Sequence, residues 1–269
     1  MMDLHKKLKE LDNVKRDGAS KVFTMYLNTD PSDPEQQGGE WKIHFKNGLR
    51  NFEQYLKEDD NKEEWENFQA VKDKVERFIR GNEQEFRRGV VIIATADEEV
   101  WFADRVQMRL KTEFYWQETP VLDQLQELQD KYPKSGIILV QQNQIKIIDS
   151  YLNEIQNTAS YELDIDTDDW REKLGPRKGN SSPFGPGRTN LQKDNFEARF
   201  EANQQRWYKK IAPKLDKRAK DNNWEKIFVV GEADSSKELE GQMNKPVDNL
   251  IQKNMLDHEE SKVLEEVFG

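Results

Sequence analysis

The sequence contains no cysteine, and this absence excludes several kinds of chemistry. Disulfide bonds, a thiolate nucleophile and zinc sites built on cysteine all need that residue. Histidine is scarce as well, because the three that occur, His5, His44 and His258, lie far apart and do not form a metal-binding motif. We therefore expect neither a bound metal ion nor a cofactor.

Long apolar runs are also missing. Only 35% of the residues are hydrophobic, and no stretch approaches the roughly 18 apolar residues of a membrane span. The opening residues, MMDLHKKLKELDN, lack the apolar run of a signal peptide. We therefore expect a cytoplasmic protein with no membrane partner. Seven Trp and thirteen Phe nevertheless argue against a disordered chain.

The signatures of several enzyme classes are missing too. The sequence has no GxxxxGK[ST] phosphate-binding loop and no GxGxxG segment after a predicted strand. It also lacks the GxSxG turn that presents a nucleophilic serine in α/β hydrolases. These absences leave little support for a nucleotide-hydrolysing enzyme or a serine hydrolase.

The charge of the chain is unevenly distributed. Residues 171–220 contain fourteen Lys and Arg against five Asp and Glu, which gives this segment a net charge of +9 within a chain of net charge -10. The remaining residues therefore carry -19. A local basic zone can contact phosphate groups, while an acidic remainder limits non-specific binding. The alternative is a solvated helix face with loosely structured flanks, and charge alone does not decide between the two.

Hydrophobic periodicity predicts strands that alternate with helices, which indicates an α/β fold. In the first part of the chain the pattern predicts strands and helices that would form an N-terminal α/β domain over residues 1–113. These are a helix over 3–17, a strand over 21–29, helices over 40–57 and 61–80, and two strands within 89–106. Thr119 and Pro120 then predict the start of a further helix.

The second predicted domain covers residues 114–269. Its sequence predicts a hairpin of two strands around 137–148, a helix over about 193–221 and a strand from residue 226. Pro213 is expected to kink or split that helix. After the last strand comes GEAD (231–234), where Asp234 or Ser235 is expected to cap the following helix. The alternative is a turn that faces a ligand crevice at the carboxyl end of the strand.

A long segment rich in glycine and proline precedes the basic helix. Residues 179–196 read GNSSPFGPGRTNLQKDNF and contain almost nothing that could build a core. We predict a loop over residues 175–193. Loops of this length inside a compact domain are usually functional or disordered, and glycine lets the backbone approach a ligand closely.

The order of these elements resembles a known family. The opening KELDNVKRDGASKVFTMYLNTDPS, the segment GPGRTNLQ, the helix NFEARFEANQQRWYKKIA and the turn GEAD follow one another as in the class-one translation termination factors of archaea and eukaryotes. More narrowly, the sequence resembles their bacterial relatives, the baeRF group and the Vms-like release-factor group. The resemblance spans nearly the whole chain and is best over residues 18–31 and 185–242.

The resemblance implies a fold, a partner and a mechanism. The middle domain of that family has an RNase H-like α/β fold, and its flexible loop carries a Gly-Gly-Gln triplet into the ribosomal peptidyl-transferase centre. The Gln orients the water that attacks the ester between peptide and tRNA. The expected partners are therefore large-subunit rRNA and peptidyl-tRNA, not DNA, and the expected activity is peptidyl-tRNA hydrolysis.

The loop of this chain departs from the family pattern, because it contains no Gly-Gly-Gln triplet. Gln192 is its one glutamine and becomes the candidate catalytic residue. The resemblance implies two further groups. Contacts to the peptidyl-transferase centre would come from Gly185, Gly187, Arg188 and Asn190. RNA-binding side chains would be Lys193, Arg199, Arg206, Lys209 and Lys210.

Three functional interpretations stay open at this point. No stop-codon reading motif is evident in the first domain, and the chain leaves no room for the third domain that the family often has. The first interpretation is therefore codon-independent hydrolysis, in rescue of stalled ribosomes or split large subunits. The second is a non-enzymatic factor of the same fold that occupies the ribosomal A site in rescue or hibernation. The third is a generic α/β domain with a disordered loop.

Overall fold

The computed structural model describes residues 4–36, 38–59, 61–164, 169–173 and 190–269, with backbone alone for His5 and for residues 190–202. The chain divides into two compact units, Met1–Lys131 and Tyr132–Gly269. Both units contain helices and a sheet, so the α/β class predicted from the sequence is confirmed. No helix in the described part of the chain is long and apolar enough to span a membrane.

The first unit contains a four-stranded antiparallel sheet with strand order β3-β2-β1-β4. Its elements are α1 (Leu4–Asp12), β1 (Val22–Asn28), α2 (Trp41–Glu58), α3 (Lys62–Asn82), β2 (Gly89–Thr95), β3 (Trp101–Val106), β4 (Glu113–Gln117) and α4 (Asp123–Lys131). Short 3₁₀ helices occupy Pro34–Gln36 and Glu83–Glu85.

Strand β1 pairs with β2 on one side and β4 on the other, and all seven of its residues are buried. Phe23, Met25 and Leu27 point to one face, as the two-residue period of a strand requires, and pack with α2 and α3. Helix α3 begins after Asn61, whose side chain accepts a hydrogen bond from Glu64 N at 3.2 Å. These local signals explain why β1 and α3 were predicted within two residues of their observed bounds, whereas the helix predicted over 3–17 ends at Asp12.

The second unit contains a six-stranded sheet with strand order β10-β9-β5-β6-β7-β8. Its elements are β5 (Ser135–Gln141), β6 (Gln144–Tyr151), β7 (Glu154–Asp164), β8 (Asp169–Glu172), α5 (Asn190–Asp221), β9 (Lys226–Gly231), α6 (Ala233–Gln242), β10 (Asn249–Ile251) and α7 (Glu260–Phe268). Strands β5, β6 and β7 form an antiparallel meander, and β9 and β10 extend it in parallel on the β5 side.

The sheet of the second unit has a separate apolar cluster on each face. Ile138 and Val140 of β5 belong to the cluster that includes the buried stripe of α5 and Leu239 of α6. Ile137 and Leu139 point the other way and pack with Val263 and Leu264 of α7. The alternation along β5 therefore places α5 and α6 over one face and α7 over the other.

Several predicted boundaries differ from the observed ones. Helix α4 begins at Asp123, not at Thr119 or Pro120. The two compact units divide between Lys131 and Tyr132, whereas the sequence prediction placed the domain boundary between residues 113 and 114. Strand β4 pairs with β1, which joins residues 113–117 to the first unit. In the C-terminal segment, where no strand was predicted after residue 234, Asn249–Ile251 form the edge strand β10.

Pro213 does not split α5, which runs as one helix of 32 residues through this position. A proline inside a helix costs about 3 kcal/mol. Ile211, Ala212 and Leu215, which surround Pro213 in sequence, are fully buried. Their packing against the sheet outweighs the lost backbone hydrogen bond, so the split, one of the two outcomes expected at Pro213, does not occur.

Candidate functional site

The predicted site residues fall into three groups in the structure. Gly185, Gly187 and Arg188 lie outside the described residues. Asn190, Gln192, Lys193 and Arg199 belong to the first turns of α5, although their side chains lie outside the described part. The backbone therefore assigns Gln192 to the helix, since α5 begins at Asn190 and includes the last four residues of the predicted loop 175–193. Arg206, Lys209 and Lys210 are exposed side chains farther along the same helix.

Trp170 joins the strand that precedes the predicted loop to the helix that follows it. Its side chain on β8 is buried, and its Nε1 donates a hydrogen bond to Trp207 O of α5 at 2.9 Å. Its ring also stacks on Tyr208, with ring centroids 6.2 Å apart. A second hydrogen bond joins α5 to β8, because Lys214 Nζ donates to Trp170 O at 3.2 Å. Strand β8 and α5 are therefore held together on the C-terminal side of residues 190–202.

Helix α5 has a buried face and a basic face. Trp207, Tyr208, Ile211 and Leu215 are fully buried in the core of the second unit. The basic face, as the term is used below, consists of the exposed residues Arg206, Lys209, Lys210, Lys214, Lys217 and Lys220. At a rise of about 1.5 Å per residue, these side chains extend along roughly 21 Å of helix.

Acidic groups beside the basic face are occupied by other partners. Asp216 accepts hydrogen bonds from Asn244 N and Lys245 N, both at 2.9 Å, and so binds the segment after α6. The carboxylate of Asp149 forms an ion pair with Arg218 on the inner side of the helix. The contacts of Asp216 and Asp149 therefore join α5 to the segment after α6 and to β6.

Asp149 is a buried charged residue that sequence reasoning missed. It lies in β6 and accepts hydrogen bonds from Trp224 Nε1 at 2.8 Å and Asn222 Nδ2 at 3.0 Å. Arg218 Nε donates to it at 3.1 Å, and Arg218 Nη2 donates as well. Asp149 thus connects the sheet to the C-terminal end of α5. Its sequence, IIDSY, gives no sign of this role, because the donors come from residues about 70 positions later.

Tyr208 belongs to a polar cluster at the carboxyl ends of β5 and β9. Its hydroxyl donates to Gln142 O at 3.1 Å, and Gln204 Nε2 donates to Ser235 Oγ at 3.3 Å nearby. Burial raises the pKa of Tyr208 to about 12, in spite of hydrogen bonds with Ser235 and Gln204 that lower it. The phenol is therefore neutral at physiological pH and is not suited to act as a general base there.

The GEAD turn is a connection without the side-chain cap that we expected. Glu232 is the N-cap residue of α6, and its side chain makes no capping hydrogen bond. Ser235 is buried and accepts from Gln204, so its hydroxyl faces α5 instead of the end of its own helix. The prediction that Asp234 or Ser235 caps α6 was wrong, because α6 begins at Ala233 and both residues lie within its first turn.

Comparison with known proteins identifies the family of this chain. Residues 133–269, which nearly coincide with the second compact unit, match the model of the bacterial archaeo-eukaryotic release factor family 5. The chain is also 33% identical over 261 residues to the protein YocB of Bacillus subtilis (strain 168), and the match covers 97% of this chain and 96% of YocB. The chain belongs to bacterial archaeo-eukaryotic release factor family 5. The resemblance recognised from the sequence is therefore confirmed.

Two solved archaeal structures are also similar to this family 5 chain. The crystal structure of the archaeal translation termination factor aRF1 matches 98% of this chain and 72% of its own, with 15% identity and a TM-score of 0.33. A structure described as an archaeal protein matches the same shares, with 14% identity and a TM-score of 0.32.

The family 5 chain offers no metal centre within the part that the structure describes, where no group of three or more His, Cys, Asp or Glu side chains could hold an ion. Among the predicted RNA-binding residues, the structure brings Arg206, Lys209 and Lys210 together on one exposed face. The sequence prediction omitted Lys214, Lys217 and Lys220 from this set, although their spacing of three residues continues the face.

Proposed function

We propose that this protein is a cytoplasmic, ribosome-associated release-factor-like protein. The observation that carries the proposal is the basic face of α5, which lies opposite a fully buried stripe in a chain of a release-factor family. The buried stripe fixes the helix on the sheet, so the lysines are presented on a rigid element. Presentation on a rigid helix lowers the entropic cost of binding, because less backbone has to be ordered when the partner binds.

The basic face is suited to the phosphate backbone of ribosomal RNA or tRNA. Its six cationic side chains extend along one side of a helix within a chain of net charge -10. The net negative charge of the rest of the chain disfavours non-specific contact with RNA, while the basic face attracts RNA locally. Arg188, Lys193 and Arg199 would continue the contact toward the predicted loop.

We further propose that the segment 185–193 enters the peptidyl-transferase centre and supports hydrolysis of peptidyl-tRNA without a codon. Gly185 and Gly187 would allow close approach of the backbone to RNA, with Arg188 and Asn190 in contact with the centre. Gln192 would orient the water that attacks the ester carbonyl. An amide can orient water and stabilise a developing oxyanion without changing its protonation state.

Release of labelled peptide from purified ribosomal particles that carry peptidyl-tRNA tests this activity. We expect Gln192→Ala to slow release by about 100-fold, the scale of losing one group that stabilises an oxyanion, while binding to the same particles stays unchanged. Gln205→Ala is the matched control, because Gln205 is an exposed glutamine of the same helix, and it should release at the wild-type rate.

Two outcomes of that assay would contradict the assignment of Gln192. Wild-type rates in Gln192→Ala would show that another group orients the water. Shortened tRNA on a denaturing gel, in place of intact deacylated tRNA, would show that the RNA backbone and not the ester is cut.

A second candidate function is a non-enzymatic factor that binds the ribosomal A site. The observation in its favour is the position of Gln192, which is the third residue of α5 and lacks the two glycines that precede the glutamine in the family triplet. This candidate predicts binding that falls steeply with salt and no release at any protein concentration. Binding without release by the wild-type chain would therefore select it.

A further inference from the structure

A pair of arginines in the first unit converges on a buried carboxylate. Asp30 follows β1, and its side chain is 2% exposed. Its Oδ1 accepts hydrogen bonds from Ser32 N at 2.9 Å and Ser32 Oγ at 2.7 Å. Its Oδ2 faces Arg109 Nε at 3.4 Å and Arg88 Nε at 3.9 Å. One oxygen of Asp30 therefore accepts hydrogen bonds from its own loop, and the other faces two arginines from segments that are distant in the chain.

The backbone around β2 and the end of β3 places these two arginines near each other. Arg88 immediately precedes β2, and Thr29 N donates to Arg88 O at 3.1 Å. Arg109 lies between the buried residues Met108 and Leu110 after β3. Gly89 makes their approach possible, because a Cβ atom there would lie 2.9 Å from Met108 O and 2.7 Å from the Leu110 side chain. The convergence thus depends on the fold and not on flexible side chains alone.

Asp30 contacts only part of each guanidinium group. Both contact Asp30 through Nε, and Arg109 Nη1 also lies 3.5 Å from Asp33 Oδ2. The side chains of Arg88 and Arg109 are nevertheless 48% and 51% exposed. Each guanidinium group has five N–H donors in a fixed plane. Donors remain on both groups after the contacts to Asp30 and Asp33 are made.

Asp30 is an ionised residue under physiological conditions. Burial would raise the pKa of its carboxyl group, but the hydrogen bonds from Ser32 together with Arg88 and Arg109 outweigh burial and hold this pKa below its ordinary value. A buried carboxylate of this kind fixes the orientation of the two arginines, in the way that second partners orient the ligands of a binding site. The two arginine side chains are thus preorganised in the absence of a ligand.

We propose that Arg88 and Arg109, oriented by Asp30, bind a phosphate group at the surface of the first unit. Paired arginines match the geometry of phosphate oxygens, which accept parallel hydrogen bonds from a guanidinium fork. The phosphate would belong to an RNA strand or to a small phosphorylated ligand. This site lies in a different compact unit from α5, so it stands whether or not the proposed function of α5 is correct.

Binding measurements on the full chain test the site, in a background in which Lys209, Lys217 and Lys220 are replaced by glutamine to weaken RNA binding by α5. The probes are a short fluorescein-labelled oligouridylate, followed by anisotropy, and inorganic phosphate, followed by calorimetry. We expect Arg88→Ala with Arg109→Ala to weaken binding of at least one probe by about tenfold, the loss expected for a charge-assisted contact. The control pair Arg77→Ala with Arg80→Ala, on α3 of the same unit, should change it less than about twofold.

The variant Asp30→Asn separates an oriented site from simple charge attraction. Removal of a negative charge should strengthen phosphate binding if only net charge matters. We expect it to weaken binding by roughly fivefold, because the arginines lose the group that orients them. Asp73→Asn, on the exposed side of α3, removes the same charge and should not weaken binding.

Substitution of lysine for both arginines keeps the test valid if Asp30→Asn unfolds the protein. Arg88→Lys with Arg109→Lys preserves charge but removes the Nε donors and the planar fork, so binding should again weaken. Loss of oligouridylate binding identifies RNA as the source of the phosphate, and loss of inorganic phosphate binding alone identifies a small ligand. The proposal is overturned if neither probe distinguishes these variants from their controls, or if Asp30→Asn strengthens binding as Asp73→Asn does.

Discussion

Replacement of Lys209, Lys217 and Lys220 by glutamine is expected to weaken binding to ribosomal particles by roughly 100-fold near 0.1 M salt. Each phosphate contact that releases a counterion contributes nearly one power of salt concentration to the binding constant. Three lost contacts should therefore lower the slope of log K against log salt by about 2 to 3. Co-sedimentation at several salt concentrations, with labelled protein, measures both quantities.

The control for this experiment removes the same charge elsewhere. Lys9, Lys15 and Lys62 are exposed lysines of the first unit, and their replacement by glutamine changes the net charge by the same amount. If binding depends on the basic face, the control variant keeps the wild-type slope within experimental error. Equal losses in the two variants would mean that overall charge, and not the face of α5, determines binding.

Asp149→Ala is expected to lower the free energy of unfolding by about 3 to 5 kcal/mol, the cost of breaking a buried ion pair. The substitution leaves Arg218 without its carboxylate in a largely buried position, and it leaves Asn222 and Trp224 without their acceptor. Urea denaturation, followed by tryptophan fluorescence and by circular dichroism, measures the change.

The matched control is Asp221→Ala, because Asp221 is an exposed aspartate near the same end of α5. A surface substitution of this kind changes stability by less than about 0.5 kcal/mol. An equally small change for Asp149→Ala would mean that the connection between β6 and α5 contributes little, and that apolar packing alone fixes the helix on the sheet.

The sequence revealed those parts of the fold that local pattern determines. Strand β1 is a run of apolar, β-prone residues, and the stripes of α2 and α3 recur at helical spacing, so these elements were predicted within one or two residues. The resemblance to release factors rested on element order and on the segments GPGRTNLQ and GEAD, and the family match confirmed it.

Features that depend on distant residues were not predictable in the same way. The split at Pro213 failed to occur because core packing on both sides outweighs a local preference. The partners of Asp149 and the convergence of Arg88 and Arg109 on Asp30 join residues far apart in the chain. No local period encodes such contacts, and a single sequence therefore does not reveal them.

The central claim of this account is that the segment 185–193 reaches the peptidyl-transferase centre while α5 contacts RNA beside it. Site-specific cross-linking tests it most directly, with a photoreactive phenylalanine analogue in place of Arg188 and, as the control, in place of Lys237 on α6. The account predicts that the probe at position 188 cross-links to nucleotides of the peptidyl-transferase centre and that the probe at position 237 does not. Cross-links from position 188 that fall elsewhere on the ribosome, or that match those from position 237, would contradict it.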